Sequence, residues 1–419
     1  MRKLVLTALL MGIVGSAVAA ENWAEFRGPG GTGHADDANL PTKLDDSVVQ
    51  WQIPIRGRAW SSPVVWEDQI WLTTAAEDGK QRSVLCVDRN TGKVIHDLVI
   101  LREEEPPFCY PANTYATPTP VVTAENVFVH FGSSLTACLD RSSAEVVWKR
   151  TDLECDHHRG PASSPILFDG KLFLAFDGFD VQYVVALDAK TGDTVWKRDR
   201  DINYGTDNGD RMKAYGTGTV VMVDGKPQVV MPSAVATIAY EPNTGQPIWT
   251  VYHDGMNASA RPIVFGDLVL ITNGGGGMVA VRPDGHGDVT GTHIEWSERK
   301  SVPKKSSPLL VDGLIYMNSD DGVLSCREPE TGKVLWQKRI GKEYAASPIF
   351  ASGYIYFFSV TGTIVTIRPG PEFDLVAESE LGNGFMASPA VTGDAIVLRS
   401  KSMLYFLAAS DPAAAPSKR

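Results

Sequence analysis

Short apolar segments alternate with turn residues along almost the whole chain, and the same arrangement recurs. Each copy begins with Ser/Thr-Pro or a related pair before apolar residues, and a turn and a second apolar segment follow. The copies recur about every 47 residues and begin at Ser62, Thr119, Ser164, Gly218, Arg261, Ser307, Ser347 and Ser388. Turn pairs such as Asp169-Gly170 favour tight hairpins. The pattern therefore predicts antiparallel strands rather than helices.

The second half of each copy predicts two more strands. The fourth strand follows a Thr-Gly turn and carries a tryptophan, most clearly from Thr191 to Trp196. Four short strands per period, repeated eight times, are typical of a propeller, so we predict an all-β, eight-bladed β-propeller. The last copy stops after Leu404–Leu407, and we expect Val48–Trp51 to supply its fourth strand and close the ring. The tryptophans should dock between neighbouring blades.

The N-terminus has the features of an export signal. Arg2 and Lys3 precede an apolar stretch, and small residues follow at Ala17–Ala20. The apolar stretch is short for a membrane span, and there is no cysteine near the expected cut for a lipid anchor. We therefore expect a periplasmic or secreted protein without a transmembrane segment. The predicted organisation is a signal peptide at 1–20, an N-terminal extension at 21–47, the propeller at 48–410 and a disordered tail at 411–419.

Composition and charge narrow the set of partners. The 419 residues include 39 Lys and Arg against 50 Asp and Glu, a net charge of −11. An apolar fraction of 43% and a charged fraction of 21% are those of a folded globular protein. The acidic balance argues against general electrostatic binding to nucleic acid or to an anionic membrane. We expect a monomer that binds no nucleic acid.

The Asp-x-x-Thr-Gly-x-x-x-Trp string at Asp188–Trp196 resembles the PQQ-like repeat. That repeat occurs in quinoprotein alcohol dehydrogenases and in the propeller lipoprotein of the outer-membrane assembly machinery. Trp23–Pro29 also resembles the start of secreted PQQ-like propellers of planctomycete-type bacteria. In the dehydrogenases, PQQ lies on a tryptophan floor beside a Ca²⁺ ion and under a disulfide between adjacent cysteines. The resemblance to that group would imply the same features here. This chain has no adjacent cysteine pair, so we expect no cofactor, with PQQ and Ca²⁺ as the alternative.

These features favour an exported, non-catalytic binding or scaffold module of the cell envelope. One alternative is a PQQ- and Ca²⁺-dependent alcohol or sugar dehydrogenase. Another is a binder of extended peptides, similar to the outer-membrane assembly factor. No Ser-His-Asp arrangement stands out, and we predict no catalytic residue.

Residues just before each first strand should lie together around one mouth of the channel. This basic and aromatic set suits an anionic or sugar-like ligand, or an acidic peptide of an envelope partner. Alternatively, the aromatic residues fill the channel and the basic residues neutralise blade-edge carbonyls and acids. The predicted mouth residues are Arg58, Trp60, Asn113, Tyr115, His157, His158, Arg159, Lys213, Tyr215, Asn257, Arg261, Lys304, Lys305, Tyr344, Phe385 and Met386.

The five cysteines fall into two sets. Cys86, Cys138 and Cys326 lie on predicted third strands, where small buried side chains are expected. Cys109 and Cys155 precede the first strands of neighbouring blades at similar distances. Because an exported protein can be oxidised, we predict a Cys109–Cys155 disulfide, with free thiols as the alternative.

Two further motifs are not expected to carry chemistry. Asp156-His157-His158 lacks the three or four converging ligands of a zinc site, because adjacent side chains in an extended segment point apart. Gly28–Gly33 matches G-x-G-x-x-G but lacks the preceding strand and following helix that binding a pyrophosphate requires. We therefore predict no metal site and no nucleotide site.

Overall fold

The computed structural model describes residues 22–273, 275 and 277–409, which form eight antiparallel sheets in chain order around a central channel. The predicted all-β, eight-bladed propeller is confirmed. The predicted signal peptide and tail lie outside the described residues. Three short 3-10 turns occur in the described part of the chain, at Pro29–Gly31, Asp46–Val48 and Gly209–Arg211. No helix among these residues is long and apolar enough to cross a bilayer.

Each blade has four strands, the first innermost and the fourth at the periphery. Blade one comprises Val64–Trp66, Gln69–Ala75, Gln81–Asp88 and Val94–Arg102. Blade two comprises Val121–Val122, Asn126–His130, Thr136–Asp140 and Val146–Arg150. Blade three comprises Ile166–Phe168, Lys171–Asp177, Gln182–Asp188 and Thr194–Asp199. Blade four comprises Thr219–Val223, Lys226–Pro232, Ala236–Tyr240 and Pro247–Tyr252.

The remaining blades repeat this order. Blade five comprises Ile263–Phe265, Leu268–Asn273, Gly277–Val281 and Ile294–Glu298. Blade six comprises Leu309–Val311, Leu314–Asn318, Val323–Arg327 and Val334–Arg339. Blade seven comprises Ile349–Ala351, Tyr354–Phe358, Thr363–Arg368 and Asp374–Glu380. Blade eight comprises Ala390–Thr392, Ala395–Arg399, Met403–Ala408 and, outermost, Val49–Pro54.

Two short strands extend this set. Gly287–Asp288 adds in parallel to the outer edge of blade four, and His34–Ala35 adds in parallel to the inner edge of blade seven. The predicted closure is also confirmed, because Val49–Pro54 pairs antiparallel with Met403–Ala408. The strand that precedes blade one and the last described strand are thus held in one sheet.

The tryptophans dock between blades as predicted. The Trp148 indole lies on the turn of blade three and donates from Nε1 to the Ala189 carbonyl at 3.0 Å. A Cβ at Gly192 would lie 2.6 Å from this indole, which explains the glycine of the Thr-Gly turn. Trp249 differs and donates to Gln228 Oε1 at 2.7 Å within its own blade.

The core lies between neighbouring blades rather than at one centre. Second and third strands, such as Lys171–Asp177 and Gln182–Asp188, are buried along most of their length because both faces pack on adjacent sheets. Cys86, Cys138 and Cys326 lie on third strands and are buried, as predicted. A buried ion pair, Asp177–Arg200, belongs to blade three and its outgoing chain, and Arg200 also donates to the Met231 and Pro232 carbonyls of blade four.

Candidate functional site

The recurring Ser/Thr-Pro pair forms a ring of hydroxyl groups around the channel. Each hydroxyl oxygen accepts a hydrogen bond from the backbone N–H of the corresponding residue in the preceding blade, at 2.9–3.1 Å. Proline follows the hydroxyl residue in six of seven cases. We call these side chains the hydroxyl ring: Ser62, Thr119, Ser164, Thr217, Ser307, Ser347 and Ser388.

Blade five breaks the ring, because Arg261 occupies the place of the hydroxyl residue. Its backbone N–H still donates to Ser307 Oγ, but its guanidinium cannot accept from Thr217. Instead, Nη1 donates to Glu25 Oε2 at 2.9 Å and to the Phe26 carbonyl at 3.0 Å. Arg261 thus connects the ring to the N-terminal segment, residues 22–47.

The N-terminal segment closes one end of the channel. It pairs with blades one and two through Trp23–Val65 and the Ala24 carbonyl, and then reaches blades six and seven. At the far side, Arg27 Nη1 donates to the Ser307 carbonyl at 3.0 Å, and Phe350 N–H donates to the Gly33 carbonyl at 2.9 Å. Along the chain, Trp60 precedes the ring hydroxyl of Ser62 and Val65 follows it, so the two lie on opposite sides of the ring. The N-terminal segment pairs with Val65 and therefore lies on the side opposite Trp60.

The glycine string at 28–33 allows this crossing. Gly31 has φ 69°, and a Cβ there would lie 2.0 Å from the Arg261 guanidinium carbon. Gly28 has φ 71°, and its Cβ would lie 2.6 Å from the Trp23 indole. The motif therefore serves close packing, which agrees with the prediction that it is not a nucleotide site.

Two buried arginines lie at the closed end with one carboxylate. Arg27 is 1% exposed and donates to the carbonyls of Gly31, Thr32 and Ser307. Burial, together with the charge of Arg261, lowers the pKa of Arg27 to about 9. Arg27 therefore remains cationic at neutral pH. The carboxylate, Glu25, forms its ion pair with Arg261.

A cavity of about 430 Å³ opens on the other side of the ring, and we call it the cup. Its floor includes Phe26 of the N-terminal segment, and six hydroxyls of the ring line its wall. Above them lies a set of aromatic, amide and charged side chains that we call the rim, all of them half-buried or exposed except the buried Tyr215. The rim comprises Trp60, Tyr110, Asn113, Arg159, Tyr215, Asn257, Lys304, Lys305, Asp320 and Met386.

Eight of the predicted mouth residues line the cup: Trp60, Asn113, Arg159, Tyr215, Asn257, Lys304, Lys305 and Met386. The Trp60 ring lies against the Arg58 guanidinium, 5.2 Å from its centroid, and Trp60 Nε1 donates to the Ala112 carbonyl at 3.2 Å. Asn113 Nδ2 donates to the Arg159 carbonyl at 2.8 Å and so joins the segments before blades two and three. Arg58 supports the rim from behind.

The other predicted mouth residues have structural roles, which corrects their assignment. Lys213 is buried and bonds to Asp210, and burial lowers its pKa despite that carboxylate. Tyr344 and Phe385 are each 1% exposed in the hydrophobic core. Tyr115 stacks on Arg82, with the guanidinium carbon 4.8 Å from the ring centroid. The structural interpretation of the basic and aromatic set therefore applies to these residues, and ligand binding by the residues that line the cup stays a prediction.

The two adjacent histidines also lie behind the rim. His157 Nε2 accepts from Ser133 N–H at 3.2 Å, and packing against Phe176 removes water, which lowers the pKa of His157 to about 4. His158 lies between Phe108 and Phe179, with ring centroids 5.7 and 5.3 Å away. Within the described ranges, no group of three or more His, Cys, Asp or Glu side chains converges on a metal position.

The predicted Cys109–Cys155 disulfide is not formed. Both residues are free thiols. Cys109 Sγ faces the Arg159 carbonyl at 3.7 Å, whereas Cys155 Sγ faces His157 Nδ1 at 3.8 Å. Burial raises the pKa of Cys109 to about 11. The two cysteines occupy similar places in the repeat, but their sulfurs contact different residues.

An exposed aromatic cluster extends from the rim over blades two and three. Phe108 is 61% exposed and Phe179 is 41% exposed, with His158 between their rings. Tyr110, 45% exposed, belongs to the rim and stacks on Arg159 at 5.1 Å. Loop 104–112 was not part of the predicted site, although its Pro-Pro-Phe-Cys-Tyr run contains the exposed aromatics.

The cup does not fit a calcium-bound quinone. Ca²⁺ takes six to eight oxygen ligands, but the cup is lined by one carboxylate, Asp320, and two amides, Asn113 and Asn257, and Asn113 Oδ1 already accepts from Thr117. Its Oδ1 already accepts from Lys304 N–H at 2.8 Å, and its Oδ2 lies 3.5 Å from Lys305 Nζ. The floor residue is Phe26 rather than tryptophan, and the lining includes no cysteine.

Comparisons with known proteins agree with this architecture. A curated relative, the outer membrane protein assembly factor BamB of Moranella endobia (strain PCIT), is 26% identical over 196 residues. The match covers 44% of this chain and 49% of that relative, so it spans about half of the relative's length.

Two solved structures share the fold. One is a europium-containing methanol dehydrogenase, with a TM-score of 0.71 and 11% identity, covering 93% of this chain and 98% of that one. The other is BamB from Moraxella catarrhalis, with a TM-score of 0.59 and 13% identity, covering 86% and 99%. The family model described as outer membrane protein assembly factor BamB matches residues 180–414. The chain therefore belongs to this BamB-type family of PQQ-like propellers.

Proposed function

We propose that this protein is an exported, non-catalytic binding or scaffold module of the cell envelope, and that the cup holds its ligand or partner. One observation carries this proposal: the channel is closed at one end by the chain's own N-terminal segment and ends in a lined cavity at the other. Concave sites with aromatic walls and a few convergent polar groups are the usual form of a binding site.

The rim supplies the chemistry of recognition. Trp60 and Tyr110 offer accessible aromatic surface beside the buried Tyr215, and Arg159, Lys304 and Lys305 offer positive charge. Stacking and charge pairing at half-exposed positions can hold a partner without altering it. The exposed Phe108 and Phe179 extend the contact area beyond the cup.

Capture from envelope extract tests the proposal. A purified Trp60→Ala/Tyr110→Ala variant should retain its fold by circular dichroism but capture at least about tenfold less of any partner than the unmodified protein. Met222→Ala provides the control. Met222 is 60% exposed on the innermost strand of blade four. It follows the ring hydroxyl of Thr217 along the chain and so lies away from the rim. Equal capture by all three proteins would contradict the proposal.

Export has a separate test. We expect cleavage of the signal peptide after Ala20, and the mature protein in the periplasm or the medium. Intact mass and cell fractionation measure both. An unprocessed protein in the cytoplasm would contradict this part of the proposal.

A second candidate is an assembly factor that binds extended peptides. The BamB-type family match supports it, and so does the outer edge of blade four, which already accepts Gly287–Asp288 as an added parallel strand. Val94 and Ile95 on the outer strand of blade one are 42% and 43% exposed and could flank an added peptide. Val94→Lys/Ile95→Lys should then reduce capture, whereas the cup variant should not.

A further inference from the structure

We infer that the cup recognises a carboxylate, held by the hydroxyl ring with the rest of the ligand against the aromatic rim. This inference rests on the proposed function and specifies the chemical class of its ligand. The carboxylate can belong to a small sugar acid or to an acidic side chain of a short peptide.

The hydroxyl ring provides uncommitted donors. Each hydroxyl oxygen accepts a backbone N–H, but within the described part of the chain none of these seven O–H groups donates to an acceptor. The six that line the cup are 2–6% exposed. A buried donor without an acceptor costs free energy, and a carboxylate offers about four lone-pair sites. Several of these donors can therefore be satisfied by one ligand group.

The charges around the cup favour an anion. Arg159, Lys304 and Lys305 line the rim, and Arg27 and Arg261 lie buried at the closed end. Four carboxylates oppose these five cations: Asp320, Asp210 at 3.6 Å from Arg159, Glu343 at 3.6 Å from Lys305, and Glu25 beside Arg261. Lys304 Nζ has no carboxylate within 4 Å among the described residues. In a protein of net charge −11, this local excess of cations focuses an attractive potential on the cup.

The walls define the rest of the ligand. Trp60, Tyr110 and Tyr215 present ring faces or edges, and Phe26 supplies an apolar floor beside the hydroxyls. Aromatic faces pack well on the C–H surfaces of sugars and on extended peptides. A cavity of about 430 Å³ admits a monosaccharide acid or a few residues, but not a folded domain.

Two matched pairs of probes test the inference by calorimetric titration of the full mature chain. The pairs are glucuronate with glucose, and the N-acetylated, C-amidated peptide Gly-Glu-Gly with the equally capped Gly-Gln-Gly, so that the Glu side chain carries the only carboxylate. We expect the acid of at least one pair to bind at least about tenfold more tightly than its neutral counterpart, and to weaken as salt is added. The pair that responds identifies the source of the carboxylate.

Two variants locate the site. Arg159→Gln/Lys304→Gln/Lys305→Gln should weaken binding of the acid by at least about tenfold. The control Lys93→Gln/Lys190→Gln/Lys226→Gln removes the same charge at exposed positions outside the lining and should bind normally. Thr119→Val removes one ring hydroxyl and should weaken binding without changing its salt dependence, provided that near-ultraviolet circular dichroism shows a native fold.

The outcomes separate this inference from the proposed function. Equal binding of the acid and its neutral counterpart would overturn the inference. Failure of all four probes, while capture of a partner still depends on Trp60 and Tyr110, would also overturn it but would leave the proposed function standing. Failure of all four probes, together with equal capture of a partner by the unmodified protein and the Trp60→Ala/Tyr110→Ala variant, would overturn both.

Discussion

The two ends of the channel are built from the same eight repeats, but the N-terminal segment closes one end and the cup opens at the other. At the closed end, Trp23, Arg27 and Arg261 are 1–3% exposed and are fixed by hydrogen bonds to the backbone or to Glu25. At the open end, Trp60 is half-buried and Lys304 is exposed. The difference teaches that the segment before blade one is fixed against the ring, whereas the segments between blades leave side chains accessible around the cup, where we propose that a ligand or partner binds.

The largest contrast should come from the two tryptophans. Trp23→Ala removes a fully buried side chain at the closed end and should cost about 3–5 kcal/mol in the free energy of unfolding. Trp60→Ala removes a half-buried side chain at the open end and should cost less than about 1 kcal/mol. Urea titration of both variants measures the contrast. Similar losses in the two variants would contradict the assigned difference between the ends.

A smaller contrast should come from Arg261. Arg261→Ser restores a ring hydroxyl that can accept from Thr217 N–H, but it leaves the mostly buried Glu25 without its cation. Removing one partner of a buried pair outweighs one added hydrogen bond, so we expect a net loss of about 2 kcal/mol. Lys304→Ser, at the exposed rim, is the control and should change stability by less than about 0.5 kcal/mol. An Arg261→Ser protein as stable as the unmodified chain would show that the Glu25 contact does not hold the segment.

Acid should affect the two ends differently. Burial and, to a smaller extent, the charge of His157 lower the pKa of His130 to about 3. Burial also lowers the pKa of His157 to about 4. Both histidines lie behind the rim, His130 against Thr136 and Phe176. The unfolded chain binds these protons near pH 6.5 and the folded chain does not, so stability falls as the pH drops from about 6.5 towards 4.

The free energy of unfolding should fall by about 1 kcal/mol per pH unit for each histidine. Arg27, at the closed end, is protonated in both states over this range and adds no slope. Urea unfolding from pH 7 to pH 4.5 should therefore show a shallower fall for His130→Gln than for the unmodified protein. The same slope in both would mean that His130 is not buried in its neutral form.

The sequence predicts the fold well because the repeat is local. Turn pairs such as Asp169-Gly170, both with positive φ, and the Trp148–Gly192 contact follow from residue types that recur at fixed spacing. The cup is predicted in part, since equivalent positions before the first strands meet at one mouth. The hydroxyl ring is missed because the Ser/Thr-Pro pair marks the start of a strand, and its inter-blade hydrogen bond depends on which residues become neighbours.

The remaining errors have the same physical cause. Position in the repeat determines the place of a backbone but not the direction of its side chain, so Tyr344 and Phe385 turn into the core. The same limit applies to Cys109 and Cys155, whose sulfurs contact different residues. Phe26 lies outside the repeats, and no spacing relates it to the channel floor.

Photo-crosslinking in cells is the most direct test that the open end is the binding site. A benzophenone amino acid would replace Trp60 at the rim or, as the control, Met222 at the opposite side of the propeller. We predict a specific crosslinked envelope partner or ligand from position 60 and none from position 222. Crosslinks from position 222 alone, or equally from both positions, would contradict the assignment of the cup as the binding site.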